Sequence, residues 1–240
     1  MSSTLSLEMD YSGRRVNIMM SNPGSHASFG PEKLSRDDKE LIRTSDYVVV
    51  LNWGQNQRGT DLAEFVFETA SQNNVITFFD PGDLTSRLKD IRDLNNRVLS
   101  RGLVDILSVN ENELVQISAE LGEREEWKKS DLLAAGGALS EIGCRVDLHT
   151  PEFSASFVDG RSDQVPCLRF VPAKVTGGGD VWNAASIFAQ GVGLQPSERL
   201  LFANAVAATY LSREDLNPPG LEEILVTAEK LERSIENPKR

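Results

Sequence analysis

Basic residues are scarce in this 240-residue chain: 25 Lys and Arg stand against 36 Asp and Glu, a formal net charge of −11. That balance argues against nucleic acid as a partner, because a binder must neutralise phosphates with clustered cations. Cysteine is scarcer still. Cys144 and Cys167 are too few for a disulfide framework and have no nearby ligand partners for zinc, which points to a reducing cytoplasm. Long apolar runs are missing too, since no segment approaches the roughly 20 residues a membrane helix requires. The opening Met1-Ser-Ser-Thr-Leu-Ser-Leu-Glu lacks the basic-then-apolar pattern of a secretory signal. The two histidines, His26 and His149, are far apart and read as ordinary loop or strand residues.

What is present suits one sizeable α/β domain with a real core, at 40% hydrophobic and 25% charged residues. Leu5, Leu7, Met9 and Tyr11 alternate, as do Val16, Ile18 and Met20 after a turn at Ser12-Gly13. This pattern predicts a β-hairpin over residues 1–22 whose apolar face must pack on something else. From residue 23 to 240 strands alternate with helices. Strands are expected at Tyr47–Leu51, Val75–Phe79, Asp105–Val109 and Cys144–Leu148. Between them Thr60 is placed to cap one helix, and a longer helix carries Leu84, Leu88, Ile91, Leu94 and Val98. Another runs from Glu111 to Leu121, and Ser130 caps a fourth. Such alternation predicts a mostly parallel, doubly wound sheet with helices on both faces, binding ligands beyond the strands' carboxyl ends. Asp180–Gln190 and Leu200–Leu211 read as buried helices, and Leu221–Ile235 as a surface helix with one apolar stripe.

Two short segments carry chemistry. Val175-Thr-Gly-Gly-Gly-Asp180 runs straight into an apolar helix. Three glycines let the backbone turn tightly and aim successive N–H groups at one spot, where a helix terminus favours phosphate oxygens. Asp180 at its edge is either a helix cap or a general base that takes a proton from an attacking hydroxyl. The second segment, Asn110-Glu-Asn-Glu113, follows a strand. Its acids either complement the helix dipole or serve water-mediated Mg²⁺ binding near phosphates.

Together these segments resemble the PfkB (ribokinase-like) family of carbohydrate kinases. The family's D-T-x-G-A-G-D motif matches Lys174-Val-Thr-Gly-Gly-Gly-Asp180, and its N-x-x-E motif matches Asn110-Glu-Asn-Glu113. The resemblance implies ATP-dependent phosphoryl transfer to a hydroxyl of a sugar or nucleoside-like substrate. It implies Asp180 as catalytic base and Thr176, Gly177, Gly178 and Gly179 as the anion hole. It also implies Glu113 holding Mg²⁺ through water, with Asn110, Asn183 and Asn204 on the nucleotide side. In this reading the cofactors are ATP and Mg²⁺, the location is cytoplasmic, and the hairpin, as remnant of a lid, offers a homodimer contact.

The departures are as specific. The family carries an additional N-terminal segment with a sugar-binding Asp, a Gly-Gly-Asn-type motif and most of a β-sheet lid. Nothing here matches it, so the chain reads as a truncated kinase, a fragment or the product of a late start codon. Val146–Ser154 lacks the family's phosphate-loop glycines, and Lys174 replaces an Asp. These differences keep a second expectation open: a non-catalytic nucleotide- or sugar-binding relative. Trp182 is expected to pack in the core, Trp53 to stand at the sheet's binding edge, and Lys128-Lys129 to be solvated surface.

Overall fold

A computed structural model describes residues 2–12, 14–122 and 131–236. Alternation produces the hairpin β1 (Ser3–Tyr11) and β2 (Arg14–Asn22), a sheet of its own. Gly13 of the expected turn, Ser130 and Lys128-Lys129 lie outside the described residues.

Helix α1 (Arg36–Thr44) opens on a capping box, Ser35 Oγ accepting from Asp38 N at 3.1 Å while Asp38 accepts from Ser35 N at 2.8 Å. Strand β3 (Tyr47–Leu51), helix α2 (Gly59–Ser71) and strand β4 (Ile76–Asp80) follow. The N-cap of α2 is Arg58, not Thr60; the Thr60 hydroxyl instead accepts from the Trp53 indole N–H at 3.1 Å. That bond, with the Arg87 guanidinium 4.0 Å from the ring centre, holds Trp53 at 1% exposure, so it is core rather than binding edge.

The longer helix expected from Leu84 to Val98 is not continuous. A 3₁₀ turn at Leu88–Asp90 leads into α3 (Ile91–Leu94) and a π turn at Asn95–Leu99. The apolar stripe is nonetheless buried, as Leu84, Ile91, Leu94 and Val98 show. The cause is tertiary: Arg87 reaches back to the carbonyls of Trp53 and Asn56 while pairing with Asp90 at 2.9 Å. Strand β5 (Ile106–Asn110), helices α4 (Glu111–Leu121) and α5 (Leu132–Ser140), and strand β6 (Arg145–His149) complete this stretch. Gly136 of α5 is small by necessity, since a Cβ there would lie 2.4 Å from the Phe157 ring.

Strands β7 (Phe153–Val158) and β8 (Arg161–Pro166) are joined by Asp159 and Gly160, both at positive φ, the hairpin turn that matches strand twist. The main sheet has the order β3-β4-β5-β6-β7-β8. β3 pairs parallel to β4 from Tyr47–Ile76 to Leu51–Asp80, and β4 pairs parallel to β5 at Phe78–Ile106 and Phe79–Leu107. Leu51, Asp80 and Asn110 therefore stand at one edge. As the outer strand, β3 leaves Val49 and Leu51 exposed, where its apolar run reads as buried.

Helices α6 (Gly178–Gly191), α7 (Pro196–Leu211) and α8 (Leu221–Glu236) end the chain. Their shared core holds Trp182, Ala185, Leu200, Ala203, Val206 and Ile224. The chain divides into two compact units. One is carried chiefly by Asn22–Leu148; the other comprises Thr4–Ser21, His149–Ser156 and Asp163–Arg240. The hairpin thus groups with the C-terminal helices. Its apolar face is uncovered, with Leu7 44% and Ile18 48% exposed, because the opposite, polar face makes the contacts.

Candidate functional site

In the C-terminal unit the glycine run is built between two anchors. Ala173 N donates to the Leu211 carbonyl at 2.8 Å, and the buried Lys174 ammonium donates to the Asp215 carbonyl while lying 3.7 Å over the Tyr210 ring. Gly177 then sits at φ +80, a left-handed conformation that penalises any side chain, and a Cβ there would meet the Tyr210 hydroxyl at 3.0 Å. A Cβ on Gly178 would meet Leu211 Cδ2 at 3.2 Å, and one on Gly179 would meet His149 Cε1 at 3.3 Å. The backbone at 177 requires glycine, while a side chain at 178 or 179 would press on Leu211 or His149.

Helix α6 starts immediately, with Gly177 as N-cap, and no side chain caps it. Among the described residues its first-turn N–H groups have no side-chain acceptor at the positive end of a 14-residue helix, Gly178 N reaching only the Val175 carbonyl at 3.4 Å. Asp180 is the third helical residue, so it is not the N-cap. Its side chain is exposed, and among the described residues its carboxylate has no hydrogen-bond or ion-pair partner. A carboxylate in that setting is free to accept a proton from a group held at the helix terminus.

The neighbouring asparagines differ. Asn183 is 3% exposed within α6. Asn204 of α7 accepts from the Trp182 indole N–H at 2.9 Å and donates to the Pro166 carbonyl at 3.2 Å, tying α7 to α6 and to the end of β8. Trp182, 3% exposed, packs on the His149 ring with centroids 5.1 Å apart. The His149–Phe153 stretch carries no glycine nest; the Thr150 hydroxyl accepts from Phe153 N at 3.0 Å and closes the turn itself.

In the other unit, Asn110 and Glu113 form a reciprocal capping box at the start of α4. Asn110 Oδ1 accepts from Asn112 N at 2.9 Å and Glu113 N at 3.0 Å. Glu113 in turn accepts from Asn110 N at 2.9 Å and Asn110 Nδ2 at 2.6 Å. Burial pushes the Glu113 carboxyl up to about 8, with Asp80 and Asp83 adding repulsion against the opposing Asn110 donors. Asp83, Thr85, Asn110, Asn112 and Glu113 line a cavity of about 390 Å³. Three acids thus repel one another beside a polar cavity, a charge distribution that a cation would relieve. Among the described residues no group of three His, Cys, Asp or Glu side chains has direct metal-ligand geometry.

Sequence reasoning missed three contributors. Asp80 and Asp83 reach Glu113 only through the β4–β5 register. Glu8 of the hairpin accepts from Val175 N, Thr176 N and the Thr176 hydroxyl, at 2.9, 2.8 and 2.5 Å. The available signal was the alternation that sends Ser6 and Glu8 to the face opposite Leu5, Leu7 and Met9.

A family model described as pfkB family carbohydrate kinase matches residues 3–223. Among solved structures, Arabidopsis thaliana ribokinase complexed with ribose and ATP is 22% identical with a TM-score of 0.72, the match covering 90% of this chain and 66% of that one. Adenosine kinase from Sinorhizobium meliloti is 18% identical with a TM-score of 0.74, covering 95% of this chain and 66% of its own. An E. coli structure of the ribokinase type, solved with ATP and Mg²⁺, is 16% identical with a TM-score of 0.69, covering 94% and 71%. At these identities the likeness is one of fold, and the chain spans 66% of the plant enzyme's length. A search of curated proteins returns no match.

Proposed function

The chain belongs to the pfkB family of carbohydrate kinases, and on that premise we propose that it transfers the γ-phosphoryl group of ATP to a hydroxyl of a sugar or nucleoside-like acceptor. One observation carries the reading: a glycine-run helix terminus without a side-chain cap, with an exposed Asp180 in its first turn that has no partner among the described residues.

Asp180 accepts the proton of the attacking hydroxyl as its oxygen bonds to the γ-phosphorus and the bond from that phosphorus to the bridging oxygen of the departing ADP breaks. The N–H groups of Gly177, Gly178 and Gly179 hold the phosphoryl oxygens and stabilise charge that grows on them during in-line transfer. Thr176 serves this nest less directly, because its N–H and hydroxyl are engaged by Glu8. Mg²⁺, when bound, would neutralise phosphate charge. Glu113, with Asp80 and Asp83 around it, would hold the ion through water, and Asn110 fixes the Glu113 rotamer. In this reading Asn204 and Asn183, buried in α7 and α6, shape the nucleotide side from within by fixing the packing of these helices.

A cytoplasmic location fits the two free thiols. Cys144 is buried and Cys167 half-buried, and burial pushes both thiols up to about 12. No described helix is long and apolar enough to cross a membrane. The uncovered hairpin face, with Leu5, Leu7, Met9 and Ile18, is the surface for a homodimer.

A second reading, a nucleotide-binding relative without turnover, draws on the His149–Phe153 turn that Thr150 closes in place of a glycine loop. Calorimetric titration with Mg²⁺·ATP and Mg²⁺·ADP, followed by turnover assays with ribose, adenosine, inosine and 2-keto-3-deoxygluconate, separates the two. Binding with turnover of any acceptor supports the kinase; binding with none supports the second reading. No binding of either nucleotide rejects both.

A further inference from the structure

The kinase reading leaves the hairpin without a task beyond its apolar face, yet its polar face is built around one spot on the glycine loop. Glu8 Oε1 accepts from Val175 N at 3.0 Å, Thr176 N at 2.8 Å and the Thr176 hydroxyl at 2.5 Å. Its other oxygen accepts from Val175 N at 2.9 Å and lies 3.4 Å from Arg15 Nε. Asn17 Nδ2 donates to the Thr176 hydroxyl oxygen at 2.9 Å, and Ser6 Oγ lies 3.0 Å from it while donating to Asn17 Oδ1 at 2.7 Å. Among the described residues, every hydrogen bond from the hairpin to the rest of its unit ends on Val175 or Thr176. The Glu8 side chain is 16% exposed, so these bonds are shielded from water on most sides.

We propose that Glu8 is a positioning residue: its carboxylate latches the hairpin to Val175–Thr176 and so fixes the conformation in which Gly177–Asp180 enters helix α6. The inference rests on the reading of that loop as the phosphoryl-transfer site. Its physical basis is the geometry of two successive N–H groups and a hydroxyl converging on one carboxylate, an arrangement that charge-assisted hydrogen bonds make strong. The carboxylate also divides the loop. Val175 and Thr176 are satisfied by an internal anion, while among the described residues the N–H groups that follow meet no side-chain acceptor, Gly178 N making only a long 3.4 Å bond to the Val175 carbonyl. An amide at position 8 keeps one acceptor oxygen, loses the charge, and would turn its NH₂ toward the Val175 N–H that the second oxygen now accepts, so Glu8→Gln weakens the latch while keeping its size.

The test uses the full chain as wild type, Glu8→Gln and Thr176→Val, with backbone amide exchange followed residue by residue. In Glu8→Gln the Val175 and Thr176 amides should exchange faster by about tenfold or more, with those of Ala203 and Val206 in α7 unchanged. Thr176→Val, which keeps both N–H donors on Glu8, should accelerate the Val175 amide less than Glu8→Gln does. In turnover, Glu8→Gln should lower kcat by about tenfold while the KM for ATP stays within about twofold. The latch is overturned if the two amides exchange at wild-type rates, if all amides of the unit accelerate equally, or if KM rises with kcat unchanged. Should the wild type transfer no phosphoryl group, the kinase reading fails, and the exchange pattern alone still decides the latch.

Discussion

Replacing Glu113 by Gln separates electrostatics from capping at the start of α4. The carboxyl is 6% exposed and is pushed up from 4.5 to about 8 by burial, then by Asp80 and Asp83. Because the folded pKa lies above the unfolded one, the unfolded chain releases a proton between these values that the folded chain retains. Stability therefore falls as pH rises through that window, by up to about 1.4 kcal/mol per unit. At pH 7, about 2.5 units above the unfolded value, the cost reaches about 3 kcal/mol at most. Gln removes that cost but places an NH₂ against Asn110 Nδ2, losing one hydrogen bond worth about 1 kcal/mol. The variant should thus be more stable than wild type by about 2 kcal/mol at pH 7, about 4–8 °C in Tm for a chain of this size. Near pH 4.5 it should be less stable by about 1 kcal/mol. Thermal unfolding at pH 4.5, 6, 7 and 8 reads the crossover, and added Mg²⁺ should raise the wild-type Tm but not that of Glu113→Gln. A Tm difference that stays flat across pH would refute the buried-acid account.

Gly177→Ala forces a methyl into a left-handed residue against the Tyr210 hydroxyl, costing about 1–2 kcal/mol of stability. Calorimetry should show a lower Tm and weaker Mg²⁺·ATP binding, and an unchanged Tm would show that the loop does not require glycine there. Combining Leu7→Ser with Ile18→Ser should leave the secondary structure unchanged in circular dichroism and convert a homodimer to monomer in sedimentation. A dimer that survives both substitutions places the interface elsewhere.

Much of the fold was legible because its causes are local. The Asn110–Glu113 capping box set the start of α4 at Glu111, where the sequence places it, and the glycine run announced the start of α6. The alternation of β1 and β2 was equally plain, but alternation names two faces and does not say which one docks. Here the polar face docked, through Glu8, because the loop it meets offers N–H donors and not apolar surface. The stretch from Leu84 to Val98 has a clean helical stripe, yet Arg87 bends it by binding carbonyls more than 30 residues earlier in the chain. Thr60 looked like a cap and instead serves Trp53. At the candidate site, Gly177–Asp180 are consecutive residues, so the proposed nest and base could be read together. Asp80 and Asp83 meet Glu113 only through strand register, which no local pattern encodes.

The central claim is that Asp180 is the base at an anion-holding helix terminus, and Asp180→Asn tests it most directly, since the amide keeps the shape and cannot take the proton. Measured with whichever acceptor the wild type phosphorylates, kcat should fall by about 10²–10⁴-fold, while Mg²⁺·ATP affinity and Tm stay at wild-type values. A variant that binds ATP normally and retains wild-type kcat would contradict the account.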